Sequence, residues 1–412
     1  MRQTVDSALK TPFYKRRLQK AGVTSGEDIK TLDDINRIPF TTKDDLREAY
    51  PYGMLATDMK NVIRLHTSSG TTGTPTVIYH TREDIENWTD LIARCIVGVG
   101  VNNQDVFQNM TTYGLFTGGL GFHYGAEKVG IVVIPSSSGN TRRQFMLMKD
   151  FGTTVVHATP SYMLHIFSQL EQYGIKRSDL KLKKAFLGAE PYTEETRKKI
   201  EELLAIDAYN SYGLSEMNGP GVAFECQYKN GMHVWEDCFI LEIIDPKTLD
   251  SLSEEQEGEL VFTTLNRTAT PLLRYRTRDL STIFASPCSC GRTHRRITRI
   301  KGRSDDMMII NGVNVFPSQI EEVIMKLPEV GTNYLIVVDK KGELDKITIK
   351  TEIYSKMFTG DLSLLSKLEK TLQNQIKDAI LVNPAIELHE PGGLPVTEGK
   401  AKRVLDNRPA LY

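Results

Sequence analysis

Between residues 60 and 285 short apolar runs alternate with amphipathic stretches. The runs at 105–110, 130–135, 153–158, 184–187 and 206–211 have the length and flanking turns of strands. Between them, 141–150, 160–173 and 194–204 carry the three-to-four-residue apolar spacing of helices. This alternation predicts an α/β layered domain with parallel strands. Ahead of it, KTPFYKRRLQKAG closes at Gly22, and PFTTKDDLREAYP opens on a Thr-Thr-Lys-Asp start that suits helix capping, so the first stretch reads as helix and loop. Around 239–265 the texture changes to two β-rich runs joined by a polar turn, a smaller antiparallel subdomain. After Arg303 it changes again, to strand, helix and hairpin followed by a long helix at 363–377. The predicted fold class is therefore α/β. A large N-terminal domain of several subdomains, one of them β-rich, covers 1–304, and a small α+β domain covers 305–412. No internal repeat is evident.

Composition narrows the field of functions. Of 412 residues 40% are hydrophobic and 25% charged, which excludes wholesale disorder and fibrous repeats. Lys and Arg number 51 against 52 Asp and Glu, a net charge of −1, so nothing draws the whole chain toward nucleic acid or an acidic membrane. No run approaches the roughly eighteen apolar residues of a membrane span. The start lacks the apolar core of a secretory signal, which makes the cytoplasm the expected compartment. Five cysteines, an odd number in a long chain, argue against a disulfide framework.

Six short motifs carry chemistry. HTSSGTTGTPT packs five hydroxyl side chains from Thr67 to Thr72 around Gly70 and Gly73. Such a loop can turn tightly and surround phosphate oxygens, although composition alone fits a flexible surface loop as well. It lacks the GK[ST] ending of a Walker loop. NSYGLSEMNG follows a β-like run, the place where α/β sheets put ligand-binding residues. There Tyr212 can stack on a base and Glu216 can hold a metal ion near phosphates. GAEP at 188–191 follows another strand-like run. YRTRDL sets Asp279 among arginines, either a surface charge cluster or a ribose and phosphate site. GRSDD at 302–306 sits where the composition changes, which suits a hinge. PVTEGKAKR places Lys400 after a glycine in a polar loop, usually a solvated position but one from which a lysine can reach a phosphate.

In this order the motifs resemble those of the adenylate-forming acyl-CoA synthetases, in particular the phenylacetate–CoA ligase family. The resemblance runs from PFYKRRLQKAGV through SSGTTGTPT, YGLFTGGLGFHYG, LGAEP, YGLSE and RYRTRDL to GRSDDMMIINGVNVFPSQIEEV and GKAKRV, essentially the whole chain. It implies an enzyme that joins a carboxylic acid to AMP, releases pyrophosphate, and passes the acyl group to coenzyme A. It also implies residue roles. Ser68, Ser69, Gly70, Thr71, Thr72, Gly73 and Thr74 would wrap the β- and γ-phosphates, with Glu216 on Mg²⁺. Gly188, Ala189 and Glu190, with Asn210, Ser211, Tyr212 and Gly213, would enclose the adenine side of ATP. Asp279 would hold the ribose and Arg303 would approach the nucleotide. Lys400 would act in adenylation, and Asp305 would be the hinge about which the C-terminal domain rotates. A relative that loads a carrier protein, or adenylates another cofactor, would share all of these. A binding protein that had lost catalysis would not be expected to keep Glu216, Asp279, Arg303 and Lys400 together.

Two assignments rest on mixed grounds. YGLFTGGLGFHYG combines aromatics with glycines, which fits a flat acyl group, with a glycine-rich helix contact in the core as the lesser alternative. Tyr113, Phe116, Gly118, Gly119 and Tyr162 are the lining candidates for an aryl or arylacetic, phenylacetate-like acid. Met110, Thr111 and Thr112 stand where the family commonly has aromatics. Cys226 and His233, with Cys288 and Cys290 of CSCG, suggest a four-ligand structural zinc site, against the alternative of free buried cysteines. His294 is the substitute for His233, and Cys95 and Cys238 read as structural. The expected partners are thus the small molecules ATP, acid and coenzyme A, with no nucleic acid and no membrane. A homodimer is compatible with the sequence.

Overall fold

The computed structural model describes residues 1–67, 74–115, 117–341, 344–357, 362–395 and 401–408. Three short helices, α1 (Arg2–Ala8), α2 (Pro12–Lys20) and α3 (Lys43–Glu48), open the chain. The Thr-Thr-Lys-Asp start does cap a helix. Thr42 accepts from the Asp45 amide while the Asp45 carboxylate accepts from the Thr42 amide, which places Lys43 at the first position of α3. Strands β1 (Val62–Thr67) and β2 (Val77–Thr81) pair antiparallel around the hydroxyl-rich loop.

There follow α4 (Arg82–Gly98), β3 (Val106–Asn109), α5 (Gly118–Val129), β4 (Val132–Ile134), α6 (Thr141–Asp150), β5 (Val155–Ala158), α7 (Pro160–Gln169), β6 (Lys184–Gly188), α8 (Glu194–Leu204) and β7 (Asp207–Leu214). Strands β3 to β7 pair in parallel, as the alternation predicts. Helices α6 and α8 end where the apolar spacing ends, while α7 stops four residues short of the expected 173.

The β-rich region comprises β8 (Gly219–Glu225), β9 (Met232–Val234), β10 (Phe239–Ile244), β11 (Glu257–Thr264), β12 (Tyr275–Phe284), β13 (Arg296–Ile297) and β14 (Gly302–Arg303). Its pairing is antiparallel throughout, yet it is continuous with the parallel half. The order is β10-β11-β12-β13-β9-β8-β7-β6-β5-β3-β4, with β14 beside β12. The last domain holds the small hairpin β15 (Met308–Ile310) and β16 (Val313–Val315), α9 (Pro317–Lys326), the hairpin β17 (Val330–Lys341) and β18 (Leu344–Ile353), α10 (Leu362–Ile380), β19 (Ala385–His389) and β20 (Val404–Asp406).

Two cores result. One gathers Trp88, Ile92, Phe107, Phe122, Phe224 and Phe262 between α4, α5 and the sheet. The other starts under α6 to α8 and runs on into the C-terminal domain through Ile310, Ile320, Ile336 and Leu372. Glycines of α5 settle part of the double reading of GGLGFHYG. A Cβ on Gly121 would lie 2.5 Å from Trp88, and one on Gly125 2.3 Å from Ile92, so this helix face exists to let α4 approach.

Candidate active site

The carboxyl ends of β6 and β7 open onto a cavity of about 250 Å³ lined by Lys43, Ala189, Glu190, Asn210, Ser211, Tyr212, Gly213, Glu216, Asp279 and Arg303, among others. This is where a parallel sheet offers unpaired strand ends to a ligand. Two glycines allow it to form. A Cβ on Gly188 would lie 2.5 Å from the Ser211 carbonyl oxygen, and one on Gly213 2.0 Å from that of Gly219. Ala189 between them takes φ +70°, a strained value for a residue with a side chain, of the kind found in ligand walls.

The charged groups here are arranged by the sheet. The Tyr212 hydroxyl donates to Asp279 Oδ2 at 2.6 Å, and Arg303 Nη1 lies 3.9 Å from Asp279 Oδ1 because β14 pairs Arg303 directly with Asp279. Burial pushes the Asp279 carboxyl up to about 6, against the bond from Tyr212 and the charge of Arg303. Glu216 is buried, with Lys43 Nζ 3.7 Å from its Oε1. A buried carboxylate facing a cavity with cationic walls suits a divalent cation that itself sits on phosphates. Lys43 was absent from the sequence candidates. Its motif read only as a helix cap, and nothing local links it to Glu216. Arg303 also forks onto Asp305, at 2.8 and 2.9 Å, so the expected hinge residue is tied to the arginine expected at the nucleotide. Thr74 is exposed, and Ser68, Ser69, Gly70, Thr71, Thr72, Gly73 and Lys400 lie outside the described residues.

A second cavity, of about 350 Å³, shares Ala189, Ser211, Gly213, Leu214 and Ser215 with the first. Its far wall is Met110, Thr111, Thr112, Thr117, Gly118, Ser138, His157, Tyr162 and Pro220. Of the expected acid-binding residues Gly118 and Tyr162 line it, and Phe116 lies outside the described residues. Tyr113 and Gly119, also expected there, are not among its lining residues. Asn109 Nδ2 donates to the Tyr113 hydroxyl at 3.0 Å and to the Gly119 carbonyl at 2.6 Å, turning both into the α5 packing. The residues found instead include His157, which in the sequence is one polar position inside an apolar strand and gives no signal of its own.

The C-terminal domain docks over these cavities. Glu190 Oε1 accepts from the Ser161 amide at 2.7 Å, and its Oε2 accepts from the Ala401 amide of the other domain at 3.0 Å, one residue after Lys400 in the chain. Glu321 on α9 does the converse. Its Oε2 accepts from the Tyr334 hydroxyl of its own domain at 2.7 Å, and its Oε1 accepts from the Thr193 amide at 3.1 Å and from the Thr196 hydroxyl.

Away from the cavities Cys226, His233, Cys288 and Cys290 converge, with all four ligand atoms within 4.8 Å of one another. The Cys226–Cys288 sulfur distance is 3.7 Å, and Cys290 Sγ lies 3.3 Å from His233 Nε2. These are close to the edges of a tetrahedron with bonds of about 2.3 Å to sulfur and about 2.0 Å to nitrogen. Burial lowers His233 to about 4, leaving a neutral ring able to ligate. Burial alone would raise the Cys290 thiol, but hydrogen bonds from Arg292 bring it down to about 7. The set therefore fits zinc. His294 stands outside it, packed edge-on against Trp235. Cys95 and Cys238 are also unpaired, and burial raises their thiols to about 12 and about 11. Among the described residues no helix is long and apolar enough to cross a membrane.

Residues 14–267 match the AMP-binding enzyme family, and residues 312–408 match the AMP-binding enzyme C-terminal domain. The expected 304/305 boundary falls between the two stretches. Similar proteins include the phenylacetate-coenzyme A ligases of Aromatoleum evansii, 46% identical over 97% of this chain and 90% of that protein, and of Escherichia coli strain K12, 43% identical over 96% and 90%. Among solved structures, a 2-hydroxyisobutyryl-CoA ligase in the postadenylation state, with R3-HIB-AMP, is 26% identical and superposes with a TM-score of 0.93 over 99% of this chain and 88% of that one. That enzyme in the thioesterification state, with CoA, gives 0.71 over the same share.

Proposed function

The chain belongs to the phenylacetate-coenzyme A ligase family of AMP-binding enzymes, and from this membership we propose how its own residues carry out an ATP-dependent ligation of an acid to coenzyme A. The acid carboxylate attacks the α-phosphorus of ATP, forming acyl-AMP and releasing pyrophosphate. The coenzyme A thiol then attacks the acyl carbon, loses its proton, and expels AMP. Both steps gather negative charge, so positioning and fixed electrostatics do most of the work.

One observation carries the reading: the two cavities share the wall formed by Ala189, Ser211, Gly213, Leu214 and Ser215. An acid in the larger one and a nucleotide in the other would meet there, carboxylate to α-phosphate. Ser211 Oγ, buried and without a hydrogen-bond partner among the described residues, is available to that junction. Asp279, assisted by Tyr212, would accept the ribose hydroxyls. Lys43 and Arg303 would face the phosphates, and Lys400 would bring its charge to the reacting carboxylate. Glu216 would hold Mg²⁺, which when bound neutralises the phosphates and the departing pyrophosphate. The Cys226, His233, Cys288 and Cys290 set would hold zinc, joining the turn after β8 to the β12–β13 connection as a staple with no part in the chemistry. Five unpaired cysteines are what a reducing compartment maintains, which supports a cytoplasmic location.

The test is AMP formation from ATP and an aryl or arylacetic acid, phenylacetate first, with and without coenzyme A. Acid-dependent pyrophosphate release that turns over only with coenzyme A is the expected result. Turnover with a phosphopantetheinyl carrier protein and not with coenzyme A would move the chain to the carrier-loading relatives. Pyrophosphate release that ignores the acid would refute the proposal.

A further inference from the structure

His157 sits on β5 at the wall of the larger cavity, 2% exposed, with its ring 4.0 Å from that of Phe122. Its Nδ1 lies 3.2 Å from Asn109 Oδ1 and 3.3 Å from the Thr111 hydroxyl. The orientation of Asn109 is fixed, because its amide nitrogen donates to the Gly119 carbonyl, a group that can only accept. Asn109 Oδ1 is thus an acceptor. The Thr111 hydroxyl spends its proton on that same oxygen at 2.8 Å, so it has none for His157. Nδ1 must therefore carry the ring hydrogen. Burial lowers the imidazole to about 3, so the ring is neutral and Nε2 holds a lone pair. Nothing among the described residues donates to that nitrogen.

We infer that the acyl group this cavity selects carries an O–H or N–H donor, a phenolic hydroxyl or an aromatic amine, that bonds to His157 Nε2. The inference rests on the ligase reading and narrows its substrate. An unsubstituted aryl ring would leave Nε2 facing carbon and without its hydrogen bond, the situation by which polar sites reject analogues that lack the matching group. The cavity agrees in character, since Thr111, Thr112, Thr117 and Ser138 line it as well.

A panel of hydroxy- and aminophenylacetic acids, their methoxy counterparts and phenylacetate itself, assayed for AMP formation with coenzyme A, tests this. In the native protein at least one hydroxy or amino acid should exceed phenylacetate in kcat/KM by about tenfold or more, and its methoxy counterpart should not. In His157→Leu that ratio should collapse toward one, the hydroxy or amino substrate losing more than phenylacetate does. Equal use of donor-bearing and unsubstituted acids by the native protein overturns the inference. So does a ratio that His157→Leu leaves unchanged. The native panel decides alone if the variant does not fold. Pyrophosphate release with the donor-bearing acids that never appears as AMP with coenzyme A would overturn the ligase reading separately, leaving the preference itself established. No release with any member overturns both.

Discussion

Glu190 offers the sharpest test of how the two domains cooperate. Its carboxylate accepts one amide from each domain, Ser161 at 2.7 Å and Ala401 at 3.0 Å, and Ala401 follows directly on Lys400. Glu190→Ala removes both acceptors. The Ser161 amide lies in the first turn of α7, where the Thr159 cap is already taken by the Tyr162 amide. A donor deprived of its partner costs about 1–3 kcal/mol, and at this partly buried position the lower half of that range applies. A penalty of about 1.4 kcal/mol on the docked orientation is about tenfold in its population, hence about tenfold in any rate that requires it. A glutamine is no neutral control here, because its one oxygen can accept only one of the two amides and its NH2 group can accept neither.

The assay separates the half-reactions. Acid-dependent exchange between ATP and pyrophosphate reads adenylation, and conversion of synthetic acyl-AMP with coenzyme A reads thioester formation. The expected outcome is a roughly tenfold loss of exchange in the alanine variant with thioester formation intact. Equal damage to both half-reactions would refute the reasoning.

Other consequences are as direct. Lys400→Ala should abolish exchange while supplied acyl-AMP still yields thioester; loss of both halves would remove its adenylation role. Lys43→Ala should raise the KM for ATP and weaken pyrophosphate inhibition, and unchanged values would make its pairing with Glu216 purely structural. Asp279, raised to about 6, is protonated below that pH, so kcat/KM for ATP should fall as pH drops through about 6. Because the shift is upward, the group's contribution to stability is full only below its ordinary pKa of about 3.9 and is lost as pH rises through 6. Asp279→Asn should then keep or raise the melting temperature at pH 7 while abolishing the acid limb, and a variant that retains the limb would clear Asp279 of it. Protein purified without chelators should carry one zinc per chain, and Cys288→Ser should lose the metal and lower the melting temperature with kcat unchanged; metal analysis finding none would dismiss the site.

What could be read from the chain was local. The parallel strands, the ends of α6 and α8 and the capped start of α3 follow from apolar spacing and from Thr and Asp at fixed offsets. The convergence of Cys226, His233, Cys288 and Cys290 was legible too, since each half of the set announces itself by short spacing. The continuity of the sheet was not. It depends on β13, only Arg296 and Ile297, which pairs with both β12 and β9 and is too short for alternation to register. The site residues missed are those whose meaning lies in a distant partner. Lys43 matters because of Glu216, and His157 because Asn109 and Thr111 dictate which of its nitrogens is protonated. Composition alone also does not tell which members of a motif reach a cavity: Tyr113 bonds through its hydroxyl to Asn109 and is not among the lining residues.

The two bridging carboxylates also explain how a tight interface can remain reversible. The arrangement follows the postadenylation form of the hydroxyisobutyryl-CoA ligase, TM-score 0.93, and departs from its thioesterification form, 0.71. A passage between two such orientations must break every contact that crosses the boundary. A buried carboxylate that loses its only partners is a severe obstacle to any such motion. Here each carboxylate divides its oxygens between the domains. Glu190 keeps Ser161 when it releases Ala401, and Glu321 keeps Tyr334 when it releases Thr193 and Thr196. The oxygen that lets go faces the surface that separation hydrates, so neither charge is orphaned. The resistance to opening then comes mainly from the apolar core that runs through both domains, and the hydrogen bonds select which orientation closes. It follows that Glu321→Gln should shift the balance between half-reactions in the same direction as Glu190→Ala, and a change that spared exchange while slowing thioester formation would contradict this account.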